Sequence, residues 1–156
     1  MKGGRHFARE LALQVLYEVD VTAHPVGMVL QHGFEREAEA APAVHQYCQE
    51  LVLGVLGCSD ILDHYIQQHA SQWPLEQVAV VDRNLLRMAL YEFAVGEIPY
   101  KVAINESVEL AKTFGGDSAP GFVNGVLGAL LAQSDEIKQV ILDSRQVESR
   151  DSELLD

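Results

Sequence analysis

Apolar residues recur along most of this chain at a spacing of about 3.6, the pattern of helices with one buried side. The first such segment covers about residues 5–19. Its apolar stripe consists of Ala8, Leu11, Ala12, Val15, Leu16 and Val19. A weaker pattern covers residues 26–39, a stronger one residues 43–56, and another begins at Ser59 and ends before the break at Trp73-Pro74. Asp82 is a plausible N-cap for a fifth helix.

Two further helices are predicted near the C-terminus. Ile104, Val108 and Ala111 fall on one side of the first, and Gly115 follows where a left-handed C-cap belongs. Ser118 is placed to cap the second. That helix is expected to bury Val123, Val126, Leu127, Leu130 and Leu131.

The opposite side of this second helix carries Gly121, Asn124, Gly125 and Gly128. Glycine inside a helix costs about 1 kcal/mol relative to alanine. We therefore interpret these glycines as positions where something approaches the backbone closely.

After residue 134 the sequence becomes polar and acidic without a clear apolar side. Residues 135–156 are predicted to be an acidic, disordered tail. No strong strand or hairpin pattern occurs. The prediction is an all-α protein of about seven helices.

Length and composition fit a packed domain without a membrane span. The chain has 156 residues, 48% of them hydrophobic, which suffices for one domain or two small halves that share a core. No run approaches the ~18 apolar residues of a membrane helix, and no secretory segment is apparent. We expect a cytoplasmic protein. Cys48 and Cys58 are expected to be buried free thiols.

Catalytic chemistry is not indicated. The sequence lacks the common hydrolase, zinc and phosphate-loop motifs, and its six histidines are scattered. We predict no enzyme activity, no metal site and no cofactor.

Charge and aromatic residues give a weak indication of RNA binding. The net charge of −12 argues against non-specific nucleic-acid binding, yet Lys2, Arg5 and Arg9 precede the first acidic residue. His6, Arg9 and Tyr17 form a stripe on the first helix that combines cations with a ring, as in proteins that hold single-stranded RNA. An ordinary exposed helix face is the alternative. Similarly, Phe114 and Phe122 are either core residues or a stacking platform.

Three separated segments resemble the NusB transcription antitermination family, over about residues 1–132. Residues 9–17 match its first helix through Arg-Glu, Ala-Leu-Gln and Leu-Tyr, and residues 81–92 (Val-Asp-Arg-Asn-Leu-Leu-Arg-Met-Ala-Leu-Tyr-Glu) match its central helix. Residues 102–127 match a third pattern: Val-Ala-Ile-Asn-Glu, Glu-Leu-Ala-Lys, Phe-Gly and Phe-Val-Asn-Gly-Val-Leu.

The resemblance implies two packed three-helix bundles in one domain, residues 1–134, with halves of about 1–57 and 58–134. It also implies binding of boxA RNA from ribosomal RNA leader transcripts, together with the ribosomal protein NusE, in an antitermination complex on RNA polymerase. The positions that it assigns to RNA are Lys2, Arg5, His6, Arg9, Tyr17, Lys101, Lys112, Phe114, Asp117, Phe122 and Asn124. Those that it assigns to the partner protein are Glu76, Arg83 and Arg87.

One departure keeps alternatives open. The arginine run common at the family's N-terminus is reduced here, since His6 and Phe7 follow Arg5. We therefore expect weak RNA binding without the partner. A protein-interaction or dimerisation module with reduced RNA binding is the main alternative, and a homodimer is possible. An RNA cytosine methyltransferase fragment is disfavoured, because no catalytic half follows Gln133.

Overall fold

The computed structural model describes residues 4–70 and 74–155, and within them it contains eight α-helices, two short 3₁₀ helices and no strand. The α-helices are α1 (Arg5–Val21), α2 (Val26–Arg36), α3 (Pro42–Gly57), α4 (Ser59–Ala70), α5 (Val80–Ala94), α6 (Tyr100–Phe114), α7 (Ala119–Leu130) and α8 (Ser134–Leu155). The 3₁₀ helices are Leu75–Gln77 and Leu131–Gln133. The all-α prediction is confirmed.

Helix α5 is the centre of the molecule. It packs against six other helices: α1, α3, α4, α6, α7 and α8. Leu85, Leu86 and Leu90 are almost completely buried, as expected of a helix that is covered all round. The two predicted groups of helices therefore share one core through α5.

The prediction of a disordered tail is wrong for the residues described. Residues 134–155 form α8, and Ile137 and Ile141 are buried against the core. Two inward apolar positions one turn apart hold the first half of α8 on α4 and α5. Beyond them the side chains lie largely in solvent, and Leu154 and Leu155 are exposed. Asp156 lies outside the described residues.

The predicted facing of α6 and α7 holds in part. Ala103, Ser107, Leu110 and Ala111 are the buried residues of α6, while Ile104 and Val108 are only half-buried. Because α6 packs against two neighbours, α5 and α7, its buried side differs from the apolar stripe that the sequence predicts. Four of the five predicted α7 positions are buried. Leu131 is half-buried in a 3₁₀ helix.

Gly115 is not the predicted left-handed cap. Its φ of −94° and ψ of 177° are extended backbone. Space is what requires glycine here: a Cβ on Gly115 would lie 2.6 Å from the Ala119 Cβ and 2.9 Å from the Ala111 carbonyl oxygen. The turn from α6 to α7 is therefore tight because this residue has no side chain.

Both cysteines are buried free thiols, as expected. Burial raises the pKa of the Cys48 thiol to about 12 and that of Cys58 to about 11. Neither is therefore a reactive thiolate at neutral pH. In residues 4–70 and 74–155 no helix is both long and apolar enough to cross a bilayer.

Candidate nucleic-acid interface

The predicted N-terminal RNA site is only partly exposed. Arg5 and His6 lie on the outside of the first turn of α1. Arg9, one turn further on, is buried, with 3% of its surface exposed. Lys2 lies outside the described residues.

Arg9 is tied to a buried carboxylate, which corrects the expectation of an exposed Arg9. Its Nε donates to both carboxylate oxygens of Glu92 at 3.0 Å, and its Nη2 lies 2.9 Å from Glu92 Oε2. Burial by itself would lower the pKa of Arg9, but the hydrogen bonds and charge of Glu92 raise it. Arg9 is thus a permanent cation whose donors are used inside the fold.

Glu92 also accepts a hydrogen bond from the Tyr47 hydroxyl. Its carboxylate, 2% exposed as a residue, therefore joins α1, α3 and α5. The sequence held a signal for this: Glu92 follows Leu85 by seven residues and Ala89 by three, so it lies on the inward side of α5. A carboxylate there requires a partner, and Arg9 supplies it.

His6 faces two carboxylates. Its Nδ1 lies 2.6 Å from Glu106 Oε2, and its Nε2 lies 3.4 Å from Glu10 Oε1. The hydrogen bond to Glu106 and the charges of both glutamates outweigh partial burial and the nearby Arg9, and raise the pKa of His6. A protonated His6 is consequently neutralised by its own neighbours.

Arg5 has a different kind of contact. Its guanidinium carbon lies 4.7 Å from the centre of the Tyr47 ring, a cation–π arrangement. Among the described residues it makes no ion pair with a carboxylate. Arg5 is therefore the cation in the first turns of α1 that keeps its hydrogen-bonding edge for another molecule.

An apolar cleft with two exposed rings lies where α1, α2, α5 and α6 meet. Tyr17 is 44% exposed and Phe114 is 41% exposed. The cleft has a volume of ≈ 470 Å³ and is lined by Leu13, Gln14, Tyr17, Glu18, Val21, Arg36, Val81 and Phe114. The structure thus brings together two predicted site residues that are 97 positions apart in the sequence.

Arg36 is a lining residue that sequence reasoning missed. It is exposed at the end of α2 and forms no carboxylate ion pair within the described part of the chain. Arg36 lies outside the three segments that resemble the NusB family, so no motif indicated it. An unpaired cation beside two exposed rings is suited to hold a phosphate whose base stacks.

The remaining predicted RNA positions are not among the residues that line this cleft. Lys101, Asp117 and Asn124 are exposed, and Phe122 is half-buried against the core. Lys112 is exposed but donates to Glu109 at 3.0 Å, which offsets part of its charge. The two phenylalanines therefore differ. The Phe114 side chain faces solvent, whereas the Phe122 side chain packs mainly against the core.

The glycine side of α7 lies open. Apart from its chain neighbours and the backbone of α7 itself, a Cβ on Gly121, Gly125 or Gly128 would meet no described atom within 4 Å. The close approach predicted there is not made by any described part of this chain.

The predicted partner residues Arg83 and Arg87 belong to an internal ion-pair network. Arg83 holds Asp20 through two 2.8 Å hydrogen bonds. Arg87 holds Asp63 at 2.7 and 2.9 Å and also reaches Asp20 at 3.0 Å. Partial burial would raise the pKa of Asp20, but hydrogen bonds from Arg83 and Asn84 lower it.

This network joins α1, α4 and α5, and it leaves neither guanidinium group free for a partner. The Arg83 and Arg87 side chains are 12% and 16% exposed. Glu76 is the predicted partner residue whose side chain is exposed. In the part of the chain that the structure describes, no group of three or more potential metal ligands is found.

The model of the NusB family matches residues 6–132. The chain belongs to the NusB family. The curated relatives agree: the transcription antitermination protein NusB of Dehalococcoides mccartyi (strain CBDB1) is 43% identical over 83% of this chain and 91% of its own length. That of Bacillus subtilis (strain 168) is 41% identical over 85% of this chain and 98% of its own.

Solved NusB structures share the fold. A structure of T. maritima NusB matches with a TM-score of 0.74 and 26% identity, over 89% of this chain and 93% of that one. A chain from the crystal structure of antitermination factors NusB and NusE in complex with dsRNA also matches with a TM-score of 0.74. It is 25% identical over 87% of this chain and 96% of that one. The relatives are named as antitermination proteins, not enzymes.

Proposed function

We propose that this NusB-family protein is a transcription antitermination factor that binds boxA-type single-stranded RNA of ribosomal RNA leader transcripts. The observation that carries this proposal is the cleft in which Tyr17 and Phe114 expose their rings beside the unpaired Arg36. Stacking of a base on an aromatic ring contributes about 1–3 kcal/mol and leaves the phosphates for nearby cations. Arg5 is a second cation free for this task.

A protein partner is part of the proposal. The chain carries a net charge of −12, so its affinity for phosphates is low by itself. A basic partner of the NusE type would offset that charge and add its own cations to the RNA surface. Support comes from the related NusB that was crystallised with NusE and dsRNA. Glu76 is exposed and of the right sign to meet such a partner.

The wider context follows from the same proposal. An antitermination factor acts on RNA polymerase, so the protein would join its antitermination complex in the cytoplasm. RNA and partner would be held without a cofactor.

The test is binding of a short boxA RNA and of a scrambled RNA, with and without the NusE-type ribosomal protein, at two salt concentrations. We expect boxA to bind more tightly than the scrambled RNA when the partner is present. Phe114→Ala should weaken this binding by about 1–3 kcal/mol, since one stacking ring is lost. Equal binding of both RNAs in every condition would overturn the proposal.

Tyr100→Ala is the matched control. Tyr100 is 46% exposed and begins α6, whereas Phe114 ends it. The two rings are separated by about 20 Å along the helix, at about 1.5 Å per residue. Loss of an equally exposed ring at the far end should leave RNA affinity unchanged.

A protein-interaction or dimerisation module with reduced RNA binding is the second candidate. It is favoured by the carboxylates around the N-terminal cations, since Glu92 holds Arg9 and Glu106 faces His6. In that case the partner would bind without RNA selectivity, or the protein would sediment as a homodimer at micromolar concentration. Analytical ultracentrifugation and partner titration separate these outcomes from the first proposal.

A further inference from the structure

Tyr47 of α3 lies directly against the exposed Arg5. The Arg5 guanidinium carbon is 4.7 Å from the centre of the Tyr47 ring, and that of the buried Arg9 is 5.7 Å from it. The ring thus contacts one cation that reaches solvent and one that does not.

The Tyr47 ring is held in place through its hydroxyl group. The Tyr47 hydroxyl donates to Glu92, and Glu92 is held by three contacts from Arg9. Burial, together with the hydrogen bond and charge of Glu92, raises the pKa of Tyr47 well above its usual range. The hydroxyl therefore stays protonated at physiological pH and remains a donor to Glu92.

We infer that Tyr47 is a positioning residue for RNA binding, which holds the Arg5 guanidinium in the orientation that receives a phosphate. This inference rests on the proposed RNA-binding function. An arginine that stacks by its face on a ring keeps its N–H donors in the plane of the group, free to bind phosphate oxygens. A long side chain that is already ordered also loses less conformational entropy on binding.

The surroundings of Arg5 agree with such a contact. Arg5 and Tyr47 line an open pocket of ≈ 270 Å³ between the starts of α1 and α3, together with Gly4, Gln46 and Glu50. The first turn of α3 contains no acidic residue. Glu50, the carboxylate of this pocket, accepts a hydrogen bond from Gln46 and forms no ion pair with Arg5.

The experiment compares Tyr47→Leu with Tyr47→Phe in the full chain, with boxA RNA and the NusE-type partner present. Both variants lose the hydroxyl that donates to Glu92, so both should melt at a lower temperature than the unaltered protein. Only Tyr47→Leu also loses the ring beneath Arg5. We expect its RNA affinity to fall about two- to fivefold, the equivalent of an exposed cation–π contact. Tyr47→Phe keeps the ring and should lose less RNA affinity than Tyr47→Leu.

Coupling to Arg5 identifies the role as positioning. In an Arg5→Ala background, Tyr47→Leu should have no further effect on RNA affinity, because there is no guanidinium left to hold. Equal affinities of the Leu and Phe variants would overturn the inference. So would a Tyr47→Leu effect that persists in the Arg5→Ala background, since it would mark a merely structural role.

Failure of the proposed function is distinguishable from failure of this inference. If the unaltered protein does not prefer boxA over scrambled RNA, the proposed function fails and the inference falls with it. If that preference is present but the Leu and Phe variants bind alike, only the role of Tyr47 is refuted.

Discussion

Arg5 and Arg9 lie one helical turn apart on α1, yet their environments are opposite. Arg5 is exposed beside Tyr47, whereas Arg9 points between α3 and α5 and pairs with Glu92. A buried carboxylate without its cation is strongly unfavourable, so the two residues depend on each other. The positive charge that the sequence suggests for RNA is in this case part of the core.

Arg9→Ala should therefore lower the free energy of unfolding by about 3–5 kcal/mol, because Glu92 is left buried and unpaired. Urea unfolding followed by circular dichroism measures this. Arg5→Ala is the matched control and should lower stability by no more than about 1 kcal/mol, because only an exposed cation–π contact is lost. An Arg9→Ala variant as stable as the unaltered protein would contradict the buried pair.

His6 gives the molecule a pH-dependent contact. Because its pKa is raised in the folded state by Glu106, its protonated form is stabilised by folding. That stabilisation is complete below the ordinary histidine pKa of about 6.5 and disappears as the pH rises through the raised folded value. His6 is half-exposed, so the effect should stay below about 1 kcal/mol.

We expect His6→Gln to destabilise the protein more at about pH 5.5 than at about pH 8.5, because the stabilisation from protonated His6 falls as the pH rises. Urea unfolding of both proteins at the two pH values provides the comparison. If His6→Gln lowers the free energy of unfolding equally at both pH values, the His6–Glu106 contact does not titrate.

At the scale of elements, the turn between α6 and α7 depends on the lack of a side chain at Gly115. The Cβ absent from Gly115 is what allows Ala119 and the Ala111 carbonyl to come so close. The same turn sets where Phe114 stands at the end of α6, beside Tyr17 and Val81 in the aromatic cleft. Local geometry at Gly115 thus fixes part of the proposed RNA surface.

Gly115→Ala should destabilise the protein by about 1–3 kcal/mol through overpacking. Its neighbour supplies the control: a Cβ on Gly116 would meet no described atom within 4 Å, and its φ is not in the left-handed region. Gly116→Ala should therefore be neutral or stabilise by up to about 1 kcal/mol. Thermal unfolding of the two variants is the measurement. Equal melting temperatures would contradict the close approach at Gly115.

At the scale of the whole molecule, α8 is divided between core and solvent. Ile137 and Ile141 complete the core against α4 and α5, while Val147, Leu154 and Leu155 are exposed. The domain therefore extends past residue 134, to about residue 141. The acidic residues beyond that point add charge without adding burial.

Shortening the chain after Gln133 should lower the free energy of unfolding by about 3–6 kcal/mol, from two buried isoleucines at about 1.5–3 kcal/mol each. Shortening it after Asp143 keeps both isoleucines and should leave stability almost unchanged. Urea unfolding of the two shortened proteins tests this, and equal stabilities would show that α8 does not join the core.

The sequence by itself determined the family and seven of the eight described α-helices, all but α8. Helical periodicity is a local property, and four of the five buried positions predicted for α7 follow from it. Three ordered motifs sufficed for the resemblance that the family model matches over residues 6–132.

Only the tertiary structure decided which of the candidate residues face solvent. Arg9 is buried by Glu92 from 83 positions away, and Arg83 and Arg87 are taken by Asp20 and Asp63. Tyr17 and Phe114 share a cleft for the same reason, since α1 and α6 meet only in the folded chain. Periodicity tells which side of a helix is apolar, but ion pairing and exposure depend on what distant elements place opposite each side chain.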